Sequence, residues 1–166
     1  MRFCYMELAE SDIRQTIKIR DMAEINQYRK DLRDKIIAYA MREFHQRGVK
    51  AVKMDEISRG LRVSKRTVYE IFGDKEELLL AGMKIERAEY KAHVEQYALA
   101  HARNVIDVIG YIYRLQMERN QQVGVVFYEE IHRMPRILEF LKEEHDKEYD
   151  DSMRFFQAGE IGRAHV

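Results

Sequence analysis

The 166-residue sequence predicts an all-α fold, and three observations carry that prediction. Charged residues make up 35% of the chain while helix breakers are scarce, with one Pro, eight Gly and no Trp. Apolar residues recur at helical spacing, as in Ile36, Ile37, Ala40, Met41 and Phe44. Residues suited to starting or stopping helices stand between the periodic segments: Gly48, Ser64, Gly73, Asp74 and Asn104. A hydrophobic share of 46% is enough for a buried core, and the length fits one large domain or two small ones.

The elements follow in order. Residues 1–29 carry scattered charges and weak periodicity, and read as a loose or marginally helical arm. Met22 would be a natural start, so 1–21 are read as a non-native upstream extension. Residues 31–47 form an amphipathic helix that Gly48 ends from the C′ position. A short connection, 49–53, leads to a helix over 54–61. Arg62, Val63 and Ser64 make a turn, and the Ser64 hydroxyl can cap the next helix, 65–72. Gly73 stops that helix. Asp74 and Glu77 have the spacing of a capping box for a long helix from 75 to about 101. Asn104 caps a helix from 105 to about 119, and another lies around 125–134. Pro135 interrupts it, and 136–157 resumes with Ile137, Leu138, Leu141, Tyr149, Phe155 and Phe156 inward.

The chemistry concentrates at 53–78, KMDEISRGLRVSKRTVYEIFGDKEEL. Met54, Ile57 and Leu61 share one face of the first short helix, and Val68, Ile71 and Phe72 share one face of the second. These can pack on each other, on Phe44 and on Val63 in the turn. Left outside on the second helix are Lys65, Arg66, Thr67, Tyr69 and Glu70. Cations and hydroxyls on the first turn of an exposed helix suit the DNA major groove, where base edges offer acceptors and phosphates flank them. Net charge is zero, but it is unevenly spread. Residues 30–75 hold twelve Lys/Arg against seven Asp/Glu, and 128–151 hold four against nine. A basic front and an acidic back fit a DNA-facing domain joined to a different one.

Residues 57–78 resemble the DNA-binding signature of TetR-family transcriptional regulators, with Ile57, Val63-Ser64, Val68-Tyr69, Phe72 and Lys75-x-x-Leu78 at the family's spacing. The helix at 36–44 with Gly48 also fits, so the likeness spans about 33–80. The resemblance implies a three-helix helix-turn-helix domain at 30–76, followed at 77–166 by a helical ligand-binding and dimerisation domain. It further implies that Lys65, Arg66 and Thr67 face base edges or nearby phosphates. Ser64 joins them at the interface, Tyr69 meets phosphate through its hydroxyl, and Lys75 meets the backbone at a helix N-terminus. Lys53 stands where the family has a capping Thr, so the cap is lost and a cation takes its place within reach of a phosphate. Arg62 replaces the usual turn Gly, a strain of about 1 kcal/mol or more if φ there is positive. Ile71 replaces a frequent aromatic.

For the effector domain, the candidate ligand-binding residues are Met83, Tyr90, His93, Tyr97, Tyr111, Met117 and Phe127. Met and aromatic residues at this spacing are also ordinary core. The family leads one to expect two further helices that pair two copies. The chain instead ends in EIGRAHV, which is similar to a translated sequencing adapter. Residues 160–166 are therefore read as non-native and the chain as truncated, which puts its own dimerisation in doubt.

Other classes find little support. Cys4 is the only cysteine, so neither an internal disulfide nor a thiolate metal site can form, and a reducing cytoplasm is expected. No apolar run reaches spanning length, and residues 1–15 offer no continuous apolar stretch to serve as a signal peptide. The six His show no metal spacing, and no catalytic constellation stands out. The expectation is a cytoplasmic, ligand-responsive repressor with no cofactor or enzymatic activity. It would bind a palindromic double-stranded DNA operator as a homodimer and respond to a small-molecule effector. The alternatives are a ligand-independent nucleoid-associated DNA binder and a helical protein-interaction module.

Overall fold

The computed structural model describes residues 2–157, with side chains from Arg20 to Asp150 apart from Asp21 and Ala23. Among the described residues all regular structure is helix: α1 (Arg2–Arg47), α2 (Met54–Gly60), α3 (Lys65–Ile71), α4 (Lys75–Ala100), α5 (Val105–Gln122), α6 (Val125–Ile131) and α7 (Pro135–Gln157). The ending at 160–166 and the side chains of Phe155 and Phe156 lie outside what is described.

The chain divides after Ile36 into two compact units. In the first, the arm read as loose or marginally helical is helix from Arg2. The helix has a simple cause. Residues 2–47 contain no Gly or Pro, and i,i+4 pairs line the exposed surface. Arg20 Nε lies 3.6 Å from Glu24, and Gln27 donates to Asp31 at 2.7 Å. Weak apolar periodicity signals little burial, not the absence of a helix.

The second unit has its densest core in the head. Ile37, Ala40, Met41 and Phe44 of α1 are buried, as are Val49, Val52, Met54, Ile57, Val68, Phe72, Leu78, Leu79 and Met83. At full burial, a side chain of the Leu, Ile or Phe class contributes about 1.5–3 kcal/mol. Two glycines mark close approaches. Gly48 takes φ 83° to end α1, and a Cβ there would meet Val126 Cγ1 of α6 at 2.7 Å. At Gly60 a Cβ would collide with the Tyr39 ring and hydroxyl, so α2 lies directly against α1.

One later junction and one helix face differ from expectation. α6 ends at Ile131, and Pro135 opens α7. That is the position where a missing N–H and a fixed φ do no harm. On α7, Leu138 and Tyr149 are exposed, at 39% and 62%, where the sequence suggested inward positions. The inward stripe is Ile137, Phe140, Leu141, Glu144 and Glu148. It includes carboxylates because Glu148 forms an ion pair with Arg87 of α4.

Candidate nucleic-acid interface

α2 and α3 are joined by a turn with defined hydrogen bonding. The Val63 amide donates to the Ser58 carbonyl at 3.0 Å, and the Arg62 amide donates to the Arg59 carbonyl at 3.1 Å. This is a Schellman ending, with Arg62 at the position that usually needs Gly. Its φ is 56°, the only positive value at a non-Gly residue among those described. The strain anticipated for Arg62 is therefore present. Ser58 is buried and donates its hydroxyl to the Asp55 carbonyl at 2.9 Å. Val68 and Phe72 anchor α3 from below.

Ser64 caps α3 as its sequence position suggested. Its Oγ accepts from the Thr67 amide at 3.0 Å and lies 2.8 Å from Thr67 Oγ1. The two hydroxyls expected at DNA are thus already bonded to each other. Lys65 Nζ lies 2.8 Å from Asp55 Oδ1 on α2 and 5.7 Å from the centre of the Tyr69 ring. The hydrogen bond between Lys65 and Asp55 holds the carboxyl below its ordinary range and raises the ammonium. Arg66 Nε donates to Glu70 Oε1 at 2.6 Å. Tyr69 is 41% exposed on the same side. Lys53 is exposed at the start of α2, whose N-cap makes no side-chain hydrogen bond, so the cap is missing as expected.

Lys75 is oriented differently from the expectation of a phosphate contact. Its ammonium points inward and donates to the Val49 carbonyl at 2.7 Å and the Val52 carbonyl at 3.0 Å, with the Lys50 carbonyl at 3.5 Å. The 49–53 connection has carbonyls without helical partners, and this cation satisfies them. Burial lowers the ammonium's pKa, while the charges of Glu130 and Glu56 raise it. From the other side, Glu130 on α6 accepts from the Lys50 amide at 2.9 Å. The Gly124 amide, ahead of α6, donates to the His45 carbonyl at 2.8 Å. The α1–α2 connection is thereby clamped by α4 and α6. Sequence reasoning missed Glu130 because eighty residues separate it from Lys50.

A second link joins three helices. His45 Nε2 lies 3.3 Å from Glu86 Oε1, within ion-pair range but misaligned for a hydrogen bond. Arg119 of α5 donates to Glu86 Oε2 at 2.7 Å. His45 also meets the Phe127 ring edge-on at 4.7 Å.

The sequence profile described as "Bacterial regulatory proteins, tetR family" matches residues 36–81. Residues 36–81 thus carry the sequence pattern of a TetR-type DNA-binding head. A solved structure with the same fold is a protein of Saccharomonospora viridis assigned as a transcriptional regulator and crystallised in complex with choline. It is 19% identical, covering 82% of this chain and 75% of that one, with a TM-score of 0.64. No curated protein matches the chain. The head is therefore of the kind that DNA-binding transcriptional regulators carry.

The seven residues expected to bind a ligand do not converge. Met83 is buried in α4, and Phe127 is packed on His45. Tyr97 and Tyr111 stack on each other at 4.0 Å and 5°. Tyr90 lies beside the Arg87 guanidinium, His93 is exposed, and Met117 is 45% exposed on α5. A groove of about 800 Å³ instead lies along α4 and α7, floored by Leu80, Ala88 and Phe140 and edged by Lys84, Arg87 and Glu144. None of the seven lines it. Helical spacing places residues on a face but does not say which faces meet. Among the described residues no helix is long and apolar enough to cross a membrane, and no group of three His, Cys, Asp or Glu could hold a metal.

Proposed function

We propose that this regulator is a ligand-responsive repressor that binds a palindromic operator as a homodimer in the cytoplasm. Residues 30–76 would read DNA and 77–166 would carry the effector and pairing functions. The observation that carries the ligand response is the clamp on the α1–α2 connection. Lys75 of α4 and Glu130 of α6 hold consecutive stretches of the same backbone. A small molecule that displaces α4 or α6 would therefore act on the head's orientation, giving two states that bind DNA differently. The α4–α7 groove is one place for such a molecule, since one of its walls is α4 itself.

On DNA, α3 would enter the major groove with Lys65, Arg66 and Thr67 toward bases, Ser64 and Tyr69 toward the backbone, and Lys53 on phosphate. Two heads on one palindrome would gain affinity through effective concentration. A mobility-shift titration on the DNA upstream of the gene tests this. Binding should be stronger to a two-half-site fragment than to a single half-site. An effector panel that includes quaternary ammonium compounds such as choline should contain at least one that releases the DNA. Retained DNA binding with no releasing compound would favour a ligand-independent binder. Absence of DNA binding at low salt would favour a protein-interaction module.

A further inference from the structure

We infer, on the strength of α3 entering the major groove as proposed above, that Arg66 reads a guanine in each half-site and that Glu70 positions it. The two side chains are 87% and 58% exposed and sit one helical turn apart on α3. An exposed i,i+4 pair by itself adds little stability, so the significance lies in which atoms it occupies. The bond to Glu70 uses Arg66 Nε. The two terminal amino groups have no protein partner among the described residues, and together they form an end-on fork. That fork matches the O6 and N7 acceptors of guanine, whereas adenine offers a donor in place of O6.

The neighbours on α3 are already engaged. Lys65 is held by Asp55 across the turn, and Thr67 is bonded to Ser64. Arg66 is the one among these three whose donors are both oriented and open. Glu70 restrains the guanidinium plane before DNA arrives, which reduces the freedom lost on binding. A bare carboxylate on a DNA-facing helix would be repelled by phosphates, and pairing with Arg66 offsets that charge.

The test is selection of bound sequences from a randomised duplex library, followed by competition between duplexes differing only at the preferred guanine. The wild type should prefer guanine over adenine there by on the order of tenfold or more. Arg66→Ala should abolish that preference. Glu70→Ala should reduce it severalfold, and the double variant should match Arg66→Ala alone, because Glu70 acts through Arg66. Both side chains are on the surface, so the fold should persist. Discrimination unchanged in Arg66→Ala, or loss of a second base preference in the double variant, would overturn the inference. Salt-sensitive binding with no base preference would overturn it as well, leaving the regulator reading intact. No binding to any duplex at low salt would remove both.

Discussion

The reading head and helix α5 are built from the same helical period, with opposite outcomes. Phe44, Ile57, Val68 and Phe72 are each no more than 1% exposed. α5 has eighteen residues and buries none of them. Its Ile106, Ile109, Tyr113 and Met117 form a stripe at spacings of three, four and four, yet are 73%, 58%, 66% and 45% exposed. An apolar stripe therefore identifies a face but not its cover. In the head, short connections force the cover to be local: α2 and α3 fold back on α1 and on each other within about forty residues. The largest predicted contrast follows. Phe72→Ala should lower unfolding stability by about 3–5 kcal/mol through the cavity it leaves. Tyr113→Ala should change it by no more than about 0.5 kcal/mol. Similar losses for both in denaturant unfolding would break the comparison.

The second test separates two roles for a single cation. Lys75 donates to the carbonyls of Val49 and Val52. Lys75→Met keeps much of the apolar stem but leaves those acceptors without a donor, which should cost about 1–3 kcal/mol. The salt dependence of DNA binding should stay as it was. A stability unchanged by the substitution, with a binding slope smaller by about 0.9, would place Lys75 on phosphate instead.

Legibility in the sequence depended on the range of each interaction. The α2–turn–α3 unit was legible because its signals are local. Ser64 caps three residues ahead, Asp74 accepts from the Glu77 amide at 2.7 Å, and Arg62 sits at the glycine position of a turn. Glu77 even reaches back as anticipated, although its carboxylate accepts from Gly73 at 3.1 Å, one residue before the cap. Contacts between distant segments were not legible. Lys75 finds carbonyls 23 to 26 positions away, and Glu130 an amide 80 away. Both choices depend on packing that spacing does not encode. Similarly, the inward stripe of α7 takes in Glu144 and Glu148 and leaves Leu138 and Tyr149 outside, because cations of α4 such as Arg87 compete with apolar groups for that face.

A third, smaller effect concerns the turn that gives the head its shape. Arg62 holds φ 56°, where a side chain crowds the backbone. Glycine removes that crowding but loses more freedom on folding, so the net gain for Arg62→Gly should be about 1 kcal/mol. The same change on α5, replacing helical Arg114 by Gly, should instead destabilise by about 1 kcal/mol. Opposite signs in thermal unfolding would confirm that the turn stores strain, and a loss at both positions would show that it does not.

The smallest effect lies at Lys53, where stability and DNA binding pull in different directions. The residue occupies the N-cap of α2 with φ −104° and ψ 144°, the extended backbone a cap requires, but its side chain makes no cap bond. Lys53→Ser supplies an oxygen that can accept from the first-turn amides of α2, which should add about 0.5–1 kcal/mol. The same substitution removes an exposed cation at the edge of the interface. If that cation neutralises one phosphate, the slope of log affinity against log salt should shrink by about 0.9. A tighter fold with weaker, less salt-sensitive binding would mean that the cap was exchanged for a hold on phosphate. A gain in stability with an unchanged slope would leave Lys53 as an unfavourable cap with no role on DNA, and would confine the reading surface to α3.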